Sequence, residues 1–227
     1  MGSITWNELR KKCKRESDYI ITLFVTNELS LLLTWKLANT RITPNQVTVS
    51  SILCGLACSI CYAFGEFLAG SLLLFVSHIL DCTDGNLARA KSSFSPIGKW
   101  LDMSGDRIAE AMVFTGTAFY FIKTGASEFW IVLSLVDAIL LSAYYYMVDI
   151  ALAQGLSKPV QNVGGLKFKD VRVKWGLLEP VIYGFVLLAP FGLIKIQIAA
   201  VFVISLFGIC FQVAKRISDV RSVSNSE

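Results

Sequence analysis

Long apolar segments constrain the fold of this chain more than any other feature of its sequence. Hydrophobic residues make up 54% of the chain and charged residues 17%, a balance typical of proteins with several membrane spans. The apolar segments are residues 45–64, 67–89, 95–122, 128–153, 176–189 and 194–213. All but the fifth are long enough to cross about 30 Å of hydrocarbon as a helix. We therefore predict an all-α integral membrane protein with six transmembrane helices, the fifth extending beyond these bounds.

The basic residues predict how these helices are oriented in the membrane. If the amino terminus is cytoplasmic, the basic cluster of residues 10–15 and most other cations lie on the cytoplasmic side, and Lys123 and Lys195 remain on the far side. This asymmetry is the one that the positive-inside rule describes. We therefore predict a multi-pass protein with both termini in the cytoplasm.

The chain ahead of the first span has the composition of a membrane-surface segment. Trp6 and Leu9 lie beside the basic cluster, and the apolar stretch 18–37 is interrupted by Asn27 and Glu28. If that stretch crossed the membrane, the basic cluster would be on the far side, against the charge rule. We therefore predict an amphipathic interfacial helix before the six spans.

Four aspartates lie within the predicted second and third spans: Asp81, Asp84, Asp102 and Asp106. The members of each pair are one helical turn apart and therefore share a face. A carboxylate buried in lipid without a partner is costly, and close like charges cannot all stay ionised unless a cation joins them. Clustered oxygen ligands suit Mg²⁺ or Mn²⁺, so the pattern predicts a metal site. By the charge asymmetry this site faces the cytoplasm.

Small residues and one arginine accompany the acids. Gly85 and Gly98 lie on the acid-bearing faces, where the missing side chain lets a ligand or a second backbone approach closely. Arg89 offers the bidentate geometry that suits phosphate. Acids, a metal, glycine clearance and an arginine together indicate a diphosphate-binding site.

The whole pattern resembles the signature of the CDP-alcohol phosphotransferase family. It reads Asp81-x-x-Asp84-Gly85-x-x-Ala88-Arg89, then eight residues, then Gly98-x-x-x-Asp102-x-x-x-Asp106, with no departure at any signature position. The spacing and the opening Thr43-Pro44-Asn45-x-Val47-Thr48 look most like the phosphatidylinositol phosphate synthase and archaeal di-inositol phosphate synthase branch.

The resemblance implies a reaction and a set of roles. A phosphatidyl-type group passes from a CDP-linked lipid to an alcohol, and CMP is released. Asp81, Asp84, Asp102 and Asp106 hold Mg²⁺ or Mn²⁺, and Asp106 is also the general base. Asp81, Asp84 and Asp102 then contact the diphosphate, and Gly85, Ala88, Arg89 and Gly98 line the CDP pocket. Family membership also implies a homodimer and an amphipathic helix before the first span.

Further positions near the motif have two readings each. Thr43 and Pro44 are typical of a helix start. Asn45, Gln46 and Thr48, just after that start, either contact CDP or serve the helix. Ser95 either donates to a phosphate or caps the third span.

The acceptor is predicted from one polar stretch, residues 153–174. Its cations, Lys167, Lys169, Arg172 and Lys174, would bind a phosphorylated acceptor, or they simply set the topology. We expect a phosphorylated polyol such as inositol phosphate or glycerol phosphate, while serine, choline and ethanolamine stay open. Glu179 is predicted to pair with Arg172 or Lys174, and His78 to be a core residue or a partner of Asp81.

Two other functions explain the acids less completely. A membrane prenyltransferase also binds a diphosphate through aspartates and Mg²⁺, but it does not need the Gly85-x-x-Ala88-Arg89 continuation. A divalent-cation transporter leaves Arg89 without a role. We expect no nucleic-acid partner, because no base-reading motif is present. The predicted division is a juxtamembrane segment 1–40, a transmembrane catalytic domain 41–217 and a disordered tail 218–227.

Overall fold

The protein is a helical bundle with a small sheet at one end. A computed structural model describes residues 4–15, 17–153, 167–168, 171–174 and 176–224. The α-helices are α1 (Trp6–Lys12), α2 (Asn27–Ala38), α3 (Pro44–Ala63), α4 (Phe67–Lys91), α5 (Pro96–Lys123), α6 (Glu128–Ala153), α7 (Leu178–Leu188) and α8 (Ile194–Ser224). A π-helical turn, Thr22–Thr26, leads into α2, and a 3₁₀ turn, Ala189–Phe191, follows α7. Each predicted span therefore corresponds to a helix.

Local sequence fixes the ends of the helices that carry the motif. α3 starts with a capping box, in which the Thr43 hydroxyl accepts from the Gln46 N–H and Gln46 Oε1 accepts from the Thr43 N–H. α5 starts at Ser95, whose Oγ accepts from the Gly98 N–H at 3.0 Å. α4 ends at Ser92, which adopts a left-handed φ of 51°. The turn between α4 and α5 is therefore short and defined at both ends.

The helices α3, α4 and α5 pack closely around the motif. A Cβ on Gly55 of α3 would lie 2.8 Å from the Ala109 Cβ of α5, so these two backbones approach as only glycine allows. Farther along the bundle, the largest buried side chains include Tyr62, Phe114 and Phe185. The motif thus adjoins an aromatic core within the same bundle.

Several helices have the length and composition of membrane spans. Among the described residues, four qualify: Pro44–Ala63, Phe67–Lys91, Glu128–Ala151 and Ile194–Ser218. The apolar helix Leu178–Phe191 is shorter. α5 is longer than most, but it carries the charged residues of the motif along its first half. The structure thus supports an integral membrane protein of several spans.

A three-stranded sheet is an element that the all-α prediction missed. β1 (Ser17–Tyr19) pairs parallel with β3 (Val171–Lys174), and β2 (Lys167–Phe168) pairs antiparallel with β3. The segment 18–37, predicted as one helix, therefore begins as a strand and passes through the π-helical turn before α2. Strands this short carry no alternating pattern that a sequence could reveal.

The segment before α2 lies along the carboxyl-terminal half of α4, and we call its described residues 12–15 and 17–22 the N-terminal strap. Lys12 Nζ donates to the Ala90 carbonyl, and Cys13 Sγ to the Asn86 carbonyl, each at 3.3 Å. A guanidinium nitrogen of Arg15 lies 3.5 Å from the Cys82 carbonyl. The strap thus follows α4 for more than two turns, beside the acids of the motif.

The strap is also joined to α7. The Thr22 N–H donates to Glu179 Oε1 at 2.7 Å, a partner for Glu179 that the sequence did not predict. At the other end of the chain, α8 continues to Ser224. The tail predicted to be disordered from residue 218 is therefore helical through 224, and 225–227 lie outside the described residues.

Candidate active site

Three aspartates from two helices converge at the motif. Asp81 of α4 and Asp102 and Asp106 of α5 each offer a carboxylate oxygen, and these oxygens lie within 4.8 Å of one another. They meet because each helix carries its acids on one face and the two faces oppose each other. Three carboxylates at this separation suit a hard divalent cation such as Mg²⁺ or Mn²⁺. The donor set therefore fits the metal that the sequence predicted.

Asp84 completes the set from a slightly different position. Its Oδ2 accepts a hydrogen bond from Thr48 Oγ1 at 2.5 Å, and both residues are buried. Thr48 therefore orients Asp84 from α3, a role that neither reading of Thr48 included.

A cavity of about 460 Å³ lies beside Asp84 and Asp102, between the starts of α3 and α5 and the end of α4. We call it the α3–α5 cavity. The predicted CDP residues that line it are Asn45, Thr48, Asp84, Gly85, Ala88, Ser95, Gly98 and Asp102. The structure thus brings most of the predicted CDP set to one cavity.

The two motif glycines act differently in this cavity. A Cβ on Gly98 would lie 2.6 Å from Asn45 Oδ1 and 2.8 Å from Ser95 Oγ, so a larger residue there would displace the Asn45 or Ser95 side chain. A Cβ on Gly85 would meet nothing nearer than the Arg89 guanidinium, at 3.6 Å. Gly98 therefore permits close packing of α5 on the start of α3, while Gly85 leaves the cavity wall open.

Three predicted CDP residues lie elsewhere. Arg89 donates to Asn86 Oδ1 at 2.6 Å and does not line the cavity. Gln46 belongs to the capping box of α3 and lines a neighbouring groove. Asp81 faces a second cavity. For Gln46 the structure thus favours the helix-capping reading, since its side-chain oxygen is already used.

The second cavity has a volume of about 120 Å³ and lies among α3, α4, α5, α6 and α7. We call it the α5–α7 cavity. Asp81 and Asp106 line it together with Arg107, Glu110 and Tyr145. Sequence reasoning missed Arg107 and Tyr145. The position of Arg107 directly after Asp106 was a usable signal, whereas Tyr145 has no motif around it.

His78 also lines the α5–α7 cavity, one turn before Asp81. Its Nδ1 lies 4.0 Å from Asp81 Oδ2, and its Nε2 lies 3.3 Å from the Thr22 hydroxyl of the N-terminal strap. The buried imidazole therefore contacts both the acid and the strap, so neither reading of His78 is complete by itself.

The predicted acceptor cations are described only in part. Lys167 lies in β2, and Arg172 and Lys174 lie in β3, while the side chains of all three and the whole of Lys169 lie outside the described part of the chain. Tyr19 of β1 pairs with Lys174 in the sheet. Burial raises the pKa of Tyr19 to about 12, so its phenol stays protonated at neutral pH.

Fold and site together define a helical protein with membrane-length helices and a carboxylate cluster between two cavities. The family model for CDP-alcohol phosphatidyltransferases matches residues 41–216, and the chain belongs to this family. The family predicted from the signature is thereby confirmed.

Relatives from bacteria and archaea resemble parts of the chain. It is 36% identical over 95 residues to phosphatidylinositol phosphate synthase of Cutibacterium acnes, which is 41% of this chain and 46% of that protein. It is 41% identical over 83 residues to archaetidylinositol phosphate synthase of Pyrococcus horikoshii, which is 36% of this chain and 44% of that protein. The chain thus spans less than half the length of either relative.

Solved structures share the fold. The crystal structure of Mycobacterium tuberculosis phosphatidylinositol phosphate synthase with CDP-DAG bound has a TM-score of 0.66 to this chain at 18% identity, covering 85% of this chain and 94% of that one. The same enzyme in complex with manganese and citrate has a TM-score of 0.65 at 19% identity, covering 82% and 88%. The chain therefore shares the fold of this mycobacterial membrane enzyme.

Proposed function

We propose that the protein transfers a phosphatidyl-type group from a CDP-linked lipid to the hydroxyl of a small acceptor and releases CMP. The observation that carries this proposal is the convergence of Asp81, Asp102 and Asp106 beside a cavity lined by the signature residues. The shared fold of a mycobacterial enzyme with CDP-DAG bound supports it.

The acids would hold the divalent cation that the family signature implies. Asp81, Asp102 and Asp106 supply the converging oxygens, and Asp84, oriented by Thr48, adds a further carboxylate. When bound, Mg²⁺ or Mn²⁺ would offset the charge of the diphosphate and make its phosphorus more electrophilic. The manganese complex of the mycobacterial neighbour supports this assignment.

The α3–α5 cavity would bind the CDP group. Asn45, Gly85, Ala88, Ser95 and Gly98 form its walls, and Asp84 and Asp102 form the side that faces the diphosphate. Arg89 bonds Asn86 with one guanidinium nitrogen and lies beside Gly85, so its other N–H donors would face the phosphates.

Asp106 would be the general base. Its carboxylate lines the α5–α7 cavity and would accept the proton of an acceptor hydroxyl that enters there. The acceptor oxygen then forms a bond to the lipid-side phosphorus, and the bond from that phosphorus to the CMP oxygen breaks. The proton ends on Asp106 and the negative charge leaves with CMP.

The acceptor would be a phosphorylated polyol such as inositol phosphate or glycerol phosphate. The names of the relatives support a polyol phosphate. The cationic strands β2 and β3, with Lys167, Arg172 and Lys174, would attract its phosphate, and Lys169 belongs to the same stretch. Serine, choline and ethanolamine are the alternatives to test.

The proposed topology has six crossings, namely α3 to α8 within the catalytic domain 41–217. The helices α1 and α2 would lie in the interface, because α1 is basic and because α2 and the π-helical turn before it present exposed apolar residues such as Phe24, Leu32 and Trp35. Both termini and the acids would face the cytoplasm, as the charge asymmetry indicates. The active protein would be a homodimer, as the family resemblance implies.

The test is CMP release by the purified protein in lipid with CDP-diacylglycerol and Mg²⁺. Inositol phosphate, glycerol phosphate, serine, choline and ethanolamine serve as separate acceptors. We expect CMP with one polyol phosphate, no CMP after the metal is removed with EDTA, and recovery when Mg²⁺ or Mn²⁺ returns. Asp106→Asn should abolish release, because it can no longer accept the proton.

The matched control is Asp149→Asn, a carboxylate on α6 that lines neither cavity and should leave CMP release intact. Metal-dependent binding of CDP is measured in parallel to show that each variant is folded. Pyrophosphate release from a prenyl diphosphate, or cation flux into liposomes without nucleotide, would contradict the proposal in favour of the two other functions.

A further inference from the structure

The four acids of the motif line two cavities that share no lining residue. Asp84 and Asp102 line the α3–α5 cavity, and Asp81 and Asp106 line the α5–α7 cavity. In an in-line displacement at phosphorus, the attacking and leaving oxygens lie on opposite sides of the phosphorus. If CDP occupies the α3–α5 cavity, the attacking hydroxyl must therefore approach from outside that cavity. The α5–α7 cavity, which Asp106 lines, would supply this approach.

A fixed arginine lies in the α5–α7 cavity. The guanidinium carbon of Arg107 lies 3.6 Å from the ring centroid of Tyr145. The Nη1 atom of Arg107 lies 2.8 Å from Glu110 Oε2. Stacking and the ion pair restrict the guanidinium to one position. Both partners come from the lining of the same cavity, so the three side chains form one polar wall. We call this wall the Arg107–Glu110–Tyr145 wall.

The wall has unused hydrogen-bonding capacity. Arg107 turns Nη1 to Glu110 and keeps further N–H donors, while Tyr145 Oη is buried with no aligned hydrogen-bond partner among the described residues. Buried polar groups are normally satisfied, so such atoms at the surface of a cavity require an explanation. A ligand that carries several hydroxyls would supply both donors and acceptors to them.

The charge of the wall decides which part of an acceptor it suits. Arg107 and Glu110 balance each other, so the wall has little net charge to attract a phosphate. A phosphate there would also approach the Glu110 carboxylate and the acids of the motif, which repel it. Uncharged hydroxyl groups meet no such repulsion.

The remaining lining of the cavity argues against a lipid chain as the occupant. Val113, Phe114, Val181 and Phe185 are each exposed by 4% or less, so this apolar side is closed off from the bilayer. A volume of about 120 Å³ is roughly ten times what a single water requires. The cavity therefore has room for a small polar molecule and no route for an acyl chain through these residues.

We propose that the α5–α7 cavity binds the uncharged, hydroxyl-bearing body of the acceptor. Arg107, Glu110 and Tyr145 hydrogen-bond its hydroxyls and present one of them to Asp106. The inference rests on the proposed function and specifies where that reaction takes its acceptor and by which chemical group. The acceptor's phosphate lies outside this cavity.

The sharpest test is Tyr145→Phe, which keeps the aromatic ring under Arg107 and removes only the hydroxyl. We expect the KM for inositol phosphate or glycerol phosphate, whichever is the substrate, to rise about three- to tenfold, as the loss of one neutral hydrogen bond implies. The KM for CDP-diacylglycerol and the affinity for CDP should not change. Tyr146→Phe, an exposed neighbour on α6, is the matched control and should behave as wild type.

A second measurement assigns the contact to a hydroxyl. Analogues of the acceptor that each lack one hydroxyl are compared in wild type and in Tyr145→Phe. One analogue should bind the wild type more weakly than the complete acceptor does. The same analogue should bind Tyr145→Phe as well as the complete acceptor does, because both changes remove the same hydrogen bond. Additive losses for every analogue would overturn the assignment of this hydroxyl contact.

The failure of this inference is distinct from that of the proposed function. Normal acceptor KM in Tyr145→Phe, or a raised KM for CDP-diacylglycerol only, would overturn the inference while the wild-type reaction stands. Absence of CMP release by the wild type with every acceptor, despite metal-dependent CDP binding, would instead count against the proposed reaction.

Discussion

Thr48 illustrates how one hydroxyl sets up the site. The sequence placed it near the start of a helix, where a capping role and a ligand role were equally open. Its hydroxyl lies 2.5 Å from Asp84 Oδ2 of α4 and 3.2 Å from the Pro44 carbonyl of its own helix. Partners that orient a metal-binding carboxylate determine both its direction and its affinity for the cation.

Thr48→Val keeps the shape of the side chain and removes that hydrogen bond. We expect CMP release, and the affinity for Mg²⁺ measured by titration, to fall roughly 10- to 100-fold. Ser50→Ala is the matched control, because the Ser50 hydroxyl is exposed and bonds only the Gln46 carbonyl of its own helix. Wild-type metal affinity in Thr48→Val would contradict the orienting role.

The sequence predicted the acids well and their surroundings less well. Helical periodicity alone put Asp81 and Asp84 on one face and Asp102 and Asp106 on another, and the structure brings those faces together. Tyr145 could not be predicted, because it reaches the site through the packing of α6 against α5. Gln46 stayed open in the sequence because a capping box and a ligand contact use the same residue type.

At the scale of single elements, the end of α4 stores backbone strain. Ser92 has a φ of 51°, and the Ser93 N–H bonds the Ala88 carbonyl, which is the geometry of a glycine-terminated helix. A serine in this conformation carries a steric cost that glycine does not. The strain lies directly between the two halves of the motif.

Ser92→Gly should therefore stabilise the protein by about 1 kcal/mol, seen as a higher thermal unfolding midpoint in detergent. Ser93→Gly is the control, since Ser93 has no positive φ and gains nothing from added freedom. A midpoint below that of the wild type for Ser92→Gly would show that the left-handed turn is not under strain.

The short sheet could not be predicted from the sequence, because its strands are short and β1 is distant from its partner in the chain. β1 and β3 each contain only a few residues, and each acquires its partner from a distant part of the chain. Helices α3 to α8 could be predicted because their apolar length is a local property. Pairing of two strands so far apart depends on the whole bundle having formed.

At the scale of the whole molecule, one carboxylate inside the bundle has no described role. Asp137 of α6 is fully buried, and neither carboxylate oxygen has a hydrogen-bond partner among the described residues. A polar group left unpaired in a membrane protein interior is expensive and is by default a functional candidate. Asp137 lines neither cavity, so it has no place in the proposed reaction.

Asp137→Leu retains the branching of the side chain and removes both unpaired oxygens. We expect the free energy of unfolding to rise by about 1–3 kcal/mol, with CMP release unchanged. Thermal unfolding and the CMP assay measure the two quantities. Asp149→Asn serves again as control, and stability should change little there. A destabilised or inactive Asp137→Leu would reveal a partner for this carboxylate in the assembled protein.

The number of membrane crossings depends on two helices, α5 and α7, whose sequences differ from those of ordinary spans. Every predicted span became a helix, but α5 carries the charged residues of the motif and α7 is short. The residues that build the site are the same residues that lower the hydropathy of α5. The charged residues that the reaction would need are therefore the reason why hydropathy alone does not identify α5 as a membrane span.

The parallel pairing of β1 with β3 also determines when the protein can be completed during its synthesis. β1 emerges from the ribosome before α3 to α6, but β3 follows only after these helices have been made. At bacterial or eukaryotic elongation rates this interval is roughly ten seconds or more. During that time the membrane helices can insert while the N-terminal strap lacks its strand partner. Fixing of the N-terminal strap by its strand partner is thus a late step of biogenesis.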